Sequence, residues 1–282
     1  MNFNFGGDEV IYSYDESEII IVPVPYDATS TWMKGADKGP EAILKASVNL
    51  EFFDIETESE THKIGIHTIE PLKKQNSPES LVYSVYNKTN LLFREGKFPV
   101  IIGGNHTVSI GSIKAAAEFY SDISVLQLDA HTDLRQTYEG SGFNHACVMA
   151  RAKEVAPIVQ VGIRSMAYEE LQFVDKSRVF YAHELFYNKE LYDSAIQKLT
   201  DNVYITIDLD VFDPGIMPST GTPEPGGLGY YEVMHFLKEV VRKRNVIGFD
   251  VVELCPSEYN KSPDFMAAKI IYQLLSYRFL VK

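Results

Sequence analysis

Residues 124–133 decide the fold, and they read Ser124-Val125-Leu126-Gln127-Leu128-Asp129-Ala130-His131-Thr132-Asp133. A largely apolar run of strand length leads directly into two aspartates and a histidine. Such a run is typical of a strand that is buried on both faces of a sheet. The polar cluster therefore follows the end of a buried strand, which is where open α/β sheets bind their ligands.

The same arrangement occurs twice more. The apolar run at 98–102 leads into Gly-Gly-Asn-His at 103–106, and the run at 203–207 leads into Asp-Leu-Asp at 208–210. Alternate side chains of an extended segment share one face, so a spacing of two residues brings such side chains together. The three clusters contain six candidate metal ligands, which are His106, Asp129, His131, Asp133, Asp208 and Asp210.

The chemistry of these six side chains indicates a site for two cations. Four carboxylates that converge on one cavity repel each other strongly unless cations are present, and two divalent ions balance their charge. Oxygen and imidazole donors without a thiolate favour Mn²⁺, with Fe²⁺, Co²⁺ or Zn²⁺ as substitutes. A single aspartate after a strand is more often a turn or cap residue. Six together predict hydrolysis by metal-activated water.

Short apolar runs alternate with amphipathic segments along the rest of the chain. Further strands are predicted at 18–24, 158–161, 179–181 and 246–252, and helices at 40–46, 109–119, 230–244 and 264–279. Another helix begins at its N-cap Ser77, places Leu81, Val85 and Leu92 on one face and ends at Gly96. This alternation predicts a three-layer α-β-α fold with a mostly parallel sheet. We find no linker or repeat, so residues 1–282 are predicted to form one domain.

Composition restricts the partners and the location. The 282 residues include 26 basic and 39 acidic side chains, a formal net charge of −13. Nucleic acid and anionic membranes need a basic surface, so both are excluded as partners. No apolar stretch approaches the ~20 residues that span a bilayer, and the N-terminus does not resemble a signal peptide. With only two cysteines, Cys147 and Cys255, we expect a cytoplasmic protein.

Three further features lie near predicted strand ends. Glu253 follows the strand at 246–252, where a carboxylate can bind a guanidinium through two hydrogen bonds, although a surface or capping role fits equally well. His145 lies in the loop after the Asp129–Asp133 cluster, which makes proton transfer plausible, although a lone histidine is more often a packed or surface residue. The Gly- and Pro-rich segment at 215–227 follows Asp208 and Asp210 directly, and its length favours a role in lining the site.

Together these motifs resemble the ureohydrolase family, which includes arginases and agmatinases. The matching segments are Gly-Gly-Asn-His-Thr-Val at 103–108, Asp-Ala-His-Thr-Asp at 129–133, Asp-Leu-Asp-Val-Phe-Asp-Pro at 208–214, Gly-Thr-Pro-Glu-Pro-Gly-Gly-Leu at 221–228 and Asp-Val-Val-Glu at 250–253. Residues 22–27 and 38–43 also look like that family's N-terminal segment, so the resemblance spans most of the chain and implies an arginase/deacetylase-like fold. Glu224 and residues 25–27 are similar to the agmatinase branch.

The resemblance implies two Mn²⁺ per subunit. One ion would be held by His106, Asp129, Asp133 and Asp208, and the other by His131, Asp129, Asp208 and Asp210, with Asp129 and Asp208 bridging. It also implies that His145 is the proton shuttle, that Glu253 binds the guanidinium, and that Asp133 orients and deprotonates the attacking water. The expected substrate is a small cationic guanidino compound, agmatine, which yields putrescine and urea in polyamine biosynthesis. A homo-oligomer, either a trimer or a hexamer, is implied as well.

Two residues depart from the family pattern. Asn105 stands where the family usually has an acidic partner of the metal-binding histidine, so metal affinity is expected to be lower. Asn144 stands where a serine is common before His145. These departures keep open a catalytically silent homologue that binds a polyamine or a protein. Hydrolysis of a different guanidino compound, such as guanidinobutyrate or a longer amine, also stays open, as does a one-zinc deacetylase of the same fold.

Overall fold

Eight strands form one parallel sheet. The computed structural model describes residues 4–73 and 75–280. Its strands are β1 (Ile19–Val24), β2 (Ile66–Thr68), β3 (Phe98–Gly103), β4 (Ile123–Leu128), β5 (Ile158–Ile163), β6 (Val179–Tyr181), β7 (Asn202–Asp208) and β8 (Asn245–Val252). Each pair of neighbours is parallel, in the order β2-β1-β3-β8-β7-β4-β5-β6. The predicted parallel sheet is confirmed.

Helices connect the strands. They are α1 (Gly39–Ser47), α2 (Pro78–Arg94), α3 (Ser109–Phe119), α4 (Val148–Ala152), α5 (Ala182–Tyr187), α6 (Leu191–Gln197), α7 (Tyr230–Lys243) and α8 (Ser262–Leu280). The helix predicted after Ser77 is α2: the Ser77 side chain accepts a hydrogen bond from the Ser80 amide, and Gly96 has a φ of +70° just beyond its end. Both ends therefore follow the capping pattern of the sequence.

The sheet is buried on both faces. Ile19 and Ile21 of β1 belong to the same apolar cluster as Ile271 of α8. Ile20, between them, points to the other face and belongs to a cluster with Leu81 of α2. Because successive side chains of a strand point in opposite directions, an uninterrupted isoleucine run supplies both interfaces. The three-layer α-β-α arrangement is confirmed.

The strand order interleaves the two halves of the chain. After β3 the chain crosses to β4 and leaves room for two strands, and β7 and β8 later fill that room. The carboxyl ends of β3, β8, β7 and β4 therefore lie side by side. Three of these four strands precede the predicted ligand clusters, and the fourth, β8, precedes Glu253.

The elements missing from the sequence-based prediction are the short ones. Strand β2 has three residues, of which only Ile66 is buried, and it pairs on one side only. Helix α4 has five residues, too few for a helical periodicity to show. Among the described residues, no helix is long and apolar enough to cross a membrane. Residues 1–3, 74 and 281–282 lie outside the described residues, and the prediction that residues 1–282 form one domain stays a prediction.

Candidate metal centre

Four neighbouring strand ends position the predicted site residues. His106 begins a 3-10 turn (His106–Val108) after β3, and Asp208 is the last residue of β7. Asp129 directly follows β4, and Glu253 directly follows β8. Because parallel strands end at the same edge of the sheet, residues up to 147 positions apart, His106 and Glu253, are in direct contact.

The first group of ligand atoms surrounds the ring of His106. Its Nδ1 lies 3.2 Å from Asp129 Oδ2, 3.1 Å from Asp133 Oδ2 and 3.3 Å from Asp208 Oδ2. This Nδ1 is buried and, within the described part of the chain, has no hydrogen-bond partner. His106, Asp129 and Asp208 offer ligand atoms that all lie within 4.8 Å of one another, so they could hold a metal ion.

A second group surrounds His131. Its Nδ1 lies 2.9 Å from Asp210 Oδ2 and 3.6 Å from Asp129 Oδ1, and these three residues could hold another ion. Asp129 belongs to both groups and presents one oxygen to each histidine, which is the geometry of a bridging ligand. The bridging role of Asp208 stays a prediction. The His131 side chain is 26 % exposed, whereas that of His106 is 1 % exposed, so the second group faces the opening.

Two of the predicted site residues have a strained backbone. Asp133 has a φ of +51° and Glu253 a φ of +67°, in the left-handed region that side chains other than glycine rarely adopt. Aspartate is enriched there, but glutamate has no local interaction that favours it. Such conformations cost on the order of 1–3 kcal/mol each and are concentrated at functional sites. Both residues line the same cavity.

Gly104 lets the backbone pack tightly beside the centre. A Cβ atom at this position would lie 1.9 Å from the carbonyl oxygen of Tyr26, which no side chain could tolerate. The Gly104 amide donates to the Val24 carbonyl at 2.9 Å, and the Asn105 amide donates to Tyr26 at 2.8 Å. This close approach brings the segment after β1 to the site.

The electrostatics of the cluster fit a pair of cations. Burial and then the neighbouring Asp129 raise the pKa of Asp133 to about 7. Burial and then Asp210 and Asp129 raise the pKa of Asp208 well above its usual value. Burial alone would lower the pKa of His131, but the carboxylates of Asp210 and Asp129 raise it to about 12. Two divalent cations would remove this repulsion, and the unpartnered His106 Nδ1 and the oxygen and imidazole donors suit them.

Thr206 orients the ring of His106, a role that the sequence analysis missed. His106 Nε2 lies 2.8 Å from Thr206 Oγ1, and this hydroxyl donates to Asp250 Oδ1 at 2.6 Å. A hydroxyl has one proton, so Thr206 can only accept from the Nε2–H of His106. The Nδ1 atom is then unprotonated and available to a cation. Histidine ligands of metals commonly donate the N–H of their other ring nitrogen to a hydrogen-bond acceptor in this way.

The predicted role of position 105 needs a correction. The partner of the His106 ring is Thr206, and Asn105 acts as the cap of the turn that carries His106. Asn105 Oδ1 accepts from the Thr107 amide at 3.3 Å. Its Nδ2 donates to Thr29 Oγ1 at 2.6 Å and to Ser30 Oγ at 3.2 Å. The side chain therefore points toward the segment after β1, away from the imidazole, because capping turns it back along its own turn.

Two buried glutamines hold the shared carboxylate. Gln127 Nε2 donates to Asp129 Oδ2 at 2.7 Å, and Gln160 Nε2 donates to Gln127 Oε1 at 2.6 Å. Gln160 Nε2 also donates to the Thr132 carbonyl at 2.8 Å. In the sequence, the only sign of these hydrogen bonds is that each glutamine is a polar residue within an otherwise apolar strand. Because buried amides must be paired, the glutamines restrict the orientation of Asp129.

Arg164 ties together the two loops at the exposed side of the centre. Its guanidinium donates to six backbone carbonyls, including Asp210 at 2.6 Å and Glu224 at 2.8 Å. One of these loops begins with the ligand Asp210, and the other carries Glu224, whose Oε1 lies 3.8 Å from His131 Nε2. Arg164 therefore holds the 215–227 segment against the metal centre.

Glu253 is placed beside the first ligand group. Its Oε1 accepts from the His106 amide at 2.7 Å, and its own amide donates to the Gly104 carbonyl at 2.8 Å. Its Oε2 faces Gly221, where a Cβ atom would lie 3.6 Å away. Burial raises the pKa of Glu253 to about 8, and a cation in the cavity would stabilise the charged form.

His145 lies at the wall of the same cavity. Burial is the main cause that lowers its pKa to about 4, and its buried Nδ1 has no hydrogen-bond partner among the described residues. The Asn144 side chain accepts from the Ala146 amide at 3.1 Å, as a serine cap would do. The departure at position 144 therefore leaves His145 at the site.

The cavity above the centre has a volume of about 320 Å³. Its inner part is lined by Glu253 and by the candidate ligands other than Asp129, and its outer part by Trp32, Met33, Arg135, Tyr138 and Met166. Gly221 and Thr222 also line it, which agrees with the predicted role of the 215–227 segment. This size is in the range of pockets for small molecules.

The fold and the site together define a class of protein. It is an α/β protein with a parallel sheet, and at the carboxyl ends of its strands carboxylate and imidazole groups form a site suited to two cations. The sequence model of the Arginase family matches residues 17–276. The chain belongs to the arginase family.

Similar proteins have related names. The chain is 40 % identical to the N(1)-aminopropylagmatine ureohydrolase of Synechocystis over 280 residues, which are 95 % of this chain and 92 % of the relative. It is 32 % identical to the agmatinase of Pyrococcus horikoshii, over 92 % of each chain. Among solved structures, the agmatine ureohydrolase of Thermoplasma volcanium is 27 % identical with a TM-score of 0.89, covering 98 % of this chain and 94 % of that one.

Proposed function

We propose that the protein is a binuclear-manganese ureohydrolase that cleaves the guanidinium group of an aminoalkylguanidine and releases urea. The observation that carries this proposal is the convergence of two histidines and four aspartates beside the buried carboxylate of Glu253. Family membership and the names of the relatives support the same reaction.

Two Mn²⁺ ions are the proposed cofactors. One would be held by His106, Asp129, Asp133 and Asp208, and the other by His131, Asp129, Asp208 and Asp210. Oxygen and imidazole donors of this kind suit Mn²⁺ better than a structural zinc ion. When bound, two divalent cations lower the pKa of a water molecule and make it a nucleophile at neutral pH.

Glu253 would bind the substrate's guanidinium. Its Oε2 faces the cavity, while its Oε1 is fixed by the His106 amide. A carboxylate held in this way accepts N–H groups of a guanidinium in a fixed plane. The central carbon is then held next to the ligand carboxylates, so that water can attack it.

Asp133 and His145 would move the protons. Asp133 lies 3.1 Å from His106 Nδ1 and lines the cavity, so it can orient the attacking water and accept a proton from it. The departing amine is a poor leaving group until it is protonated. Because its pKa is lowered to about 4, His145 is neutral at rest, and it acts by taking up a proton during turnover and passing it to the amine.

Agmatine and its N1-aminopropyl derivative are the proposed substrates. Water and the guanidinium give urea and, for agmatine, putrescine; the derivative gives the corresponding triamine. The Synechocystis relative, with 40 % identity, is named for the aminopropyl compound, and the Pyrococcus horikoshii relative, with 32 % identity, is named for agmatine. Both compounds have a cationic aliphatic tail, which suits a chain with a net charge of −13.

A carboxylate-tailed substrate such as guanidinobutyrate is less compatible with the cavity. Arg135 is the cation at its outer part, and its Nη1 already pairs with Glu169 Oε1 at 2.8 Å. Its Nε lies 3.9 Å from Glu170 Oε2. The charge of Arg135 is therefore balanced before a substrate enters, and this side chain offers little attraction to an incoming carboxylate.

Urea release from a panel of compounds tests the proposal. The protein, loaded with Mn²⁺, is assayed with agmatine, N1-aminopropylagmatine, guanidinobutyrate and arginine, and its metal content is measured in parallel. We expect about two Mn²⁺ per chain and urea from the two amine-tailed compounds. Full metal content without urea from any compound would instead favour the catalytically silent homologue.

The predicted assembly and location also stay proposals. A trimer or hexamer is testable by analytical ultracentrifugation, and a cytoplasmic location by fractionation of the cells that make the protein.

A further inference from the structure

An aromatic side chain at the outer end of the cavity has no role in the proposed chemistry. Trp32 is the only tryptophan of the sequence, it is 71 % exposed, and it lines the same cavity as Glu253. Within residues 4–73 and 75–280, its ring has no aromatic or cationic partner. Because it lines the cavity, this exposed indole lies where a bound ligand can cover it.

The loop that carries Trp32 is fixed at its first half. This loop, residues 27–35, is closed by a hydrogen bond of 2.7 Å from the Gly35 amide to Asp27 Oδ2. Asn105 donates to Thr29 Oγ1 and Ser30 Oγ, and Thr29 Oγ1 lies 2.9 Å from Thr107 Oγ1. The loop therefore starts from the turn that carries the ligand His106.

The second half of the loop lies beside the proposed guanidinium site. A Cβ atom at Gly221 would be 3.6 Å from Glu253 Oε2 and 3.8 Å from the carbonyl oxygen of Met33. The Met33 carbonyl and the Glu253 carboxylate therefore both lie within 4 Å of the same point at Gly221. Trp32 directly precedes Met33 in the chain, a step of ~3.8 Å between Cα atoms. Because Trp32 and Glu253 line the same cavity, a substrate tail that extends from Glu253 can reach Trp32.

The other aromatic ring of the mouth is already occupied. The Arg135 guanidinium lies 4.6 Å from the centre of the Tyr138 ring. Trp32 therefore presents the open aromatic face of the outer cavity, and indole is the side chain that attracts a cation most strongly.

Building on the proposed function, we propose that Trp32 is the specificity-determining residue for the substrate's tail, and that its ring receives the tail's alkylammonium group. The attraction between the indole ring and the ammonium group depends on the positive charge, whereas packing of the tail's methylene groups on the ring does not. An alkylguanidine without the ammonium group keeps the packing and lacks the charge, so it separates the two contributions to binding. Butylguanidine is such a compound, because it has agmatine's chain without its amine.

Kinetics of the Mn²⁺-loaded enzyme test the inference. In Trp32→Leu we expect KM for agmatine to rise by ~5- to 30-fold, while KM for butylguanidine changes by less than about 3-fold. Trp32→Phe should recover most of the affinity for agmatine. Because Trp32 is exposed, these variants are expected to keep their fold and metal content. Tyr187→Leu, at an aromatic residue that is 84 % exposed, is the matched control and should alter neither KM.

The fluorescence of the sole tryptophan gives a readout that needs no turnover. In stopped-flow mixing, agmatine should change the Trp32 emission at a lower concentration than butylguanidine does. Equal effects of Trp32→Leu on both compounds, or equal half-saturation of the emission change, would overturn the inference. If wild-type protein binds agmatine in this assay and releases no urea, the proposed function fails while the tail site stands.

Discussion

The floor and the mouth of the cavity are built from different parts of the molecule. The floor consists of residues at strand ends, such as His106, Asp208 and Glu253, which are exposed by 1 %, 4 % and 9 %. The mouth includes Trp32, 71 % exposed, on a loop that side-chain hydrogen bonds attach to the floor. Rigid strand ends suit the chemical step, and loops suit the choice of substrate. We therefore expect substitutions in the floor to change turnover and metal binding, and those in the mouth to change KM.

The largest effect is expected at the shared ligand. Asp129→Ala removes the residue common to both ligand groups, so we expect loss of urea release and of stoichiometric Mn²⁺, measured by a urea assay and elemental analysis. Asp193→Asn, an exposed aspartate on α6, is the control and should keep both. Retention of two tightly bound ions in Asp129→Ala would contradict its bridging role.

The thermal stability of a variant of Asp208 shows whether this carboxylate destabilises the metal-free protein through charge repulsion or supports its fold. Asp208→Asn keeps the oxygen that accepts from the Asp210 amide but removes one of the crowded charges. The metal-free variant should therefore melt higher than metal-free wild type, and Mn²⁺ should stabilise it less. In wild type, an ion at 100 times its Kd adds about 2.7 kcal/mol of stability. A variant that melts lower in both states would show that Asp208 is mainly structural.

A proton-transfer defect is expected to be the next largest effect. His145→Asn should leave metal content unchanged and lower kcat by about 10²- to 10⁴-fold, the usual range for an acid–base residue. Among the described residues, the Nδ1 atom of His145 has no hydrogen-bond partner. Asparagine keeps an N–H donor for the hydrogen bond to the Thr29 backbone, so folding should be preserved, which circular dichroism checks. A fully active His145→Asn enzyme would remove His145 from the mechanism.

A moderate effect on metal affinity is expected from Thr206, which contacts the ligand His106. Thr206→Val removes the acceptor of the His106 Nε2–H, and we expect Mn²⁺ affinity to fall by about 10- to 100-fold, measured by calorimetric titration. Thr206→Ser keeps the hydroxyl and should bind Mn²⁺ within a few-fold of wild type. If valine and serine had the same effect, packing rather than the hydrogen bond would explain the loss.

The smallest effect is expected where the mouth is attached to the floor. Asn105→Asp replaces the amide that donates to Thr29 and Ser30, so the loop at 27–35 should loosen. We expect KM to rise by ~2- to 10-fold with kcat and Mn²⁺ affinity unchanged, and acrylamide should quench Trp32 more strongly. An aspartate that instead tightens Mn²⁺ binding would restore the role that the family pattern implies for this position.

The floor could be predicted from the sequence because its signals are local. Each ligand cluster directly follows an apolar strand, and a spacing of two residues turns its side chains to one side. The parallel sheet then follows from the alternation of strands and helices, and it places the ends of β3, β4 and β7 at one edge. Conversely, the absence of a helical period in α4 and of an apolar run in β2 left both elements undetected.

The supports of the floor could not be predicted, because each depends on which strands become neighbours. Thr206 and Asp250 are paired across β7 and β8, and Gln127 and Gln160 across β4 and β5. The sequence shows only that a polar residue interrupts an apolar strand. The same limit applies to Asn105: its family position indicated a partner of His106, while the loop that it holds lies more than 70 residues earlier.

The interleaved strand order affects how the protein can be made. β3 and β4 are synthesised before residue 129, but the strands that fill the space between them are complete only at residue 252. At ordinary translation rates this interval is roughly 6 to 25 s. During it, two apolar strands have bare edges of the kind that invite association between chains. Because the candidate site draws on strand ends from both halves of the polypeptide, it can be completed only after residue 253 has been synthesised.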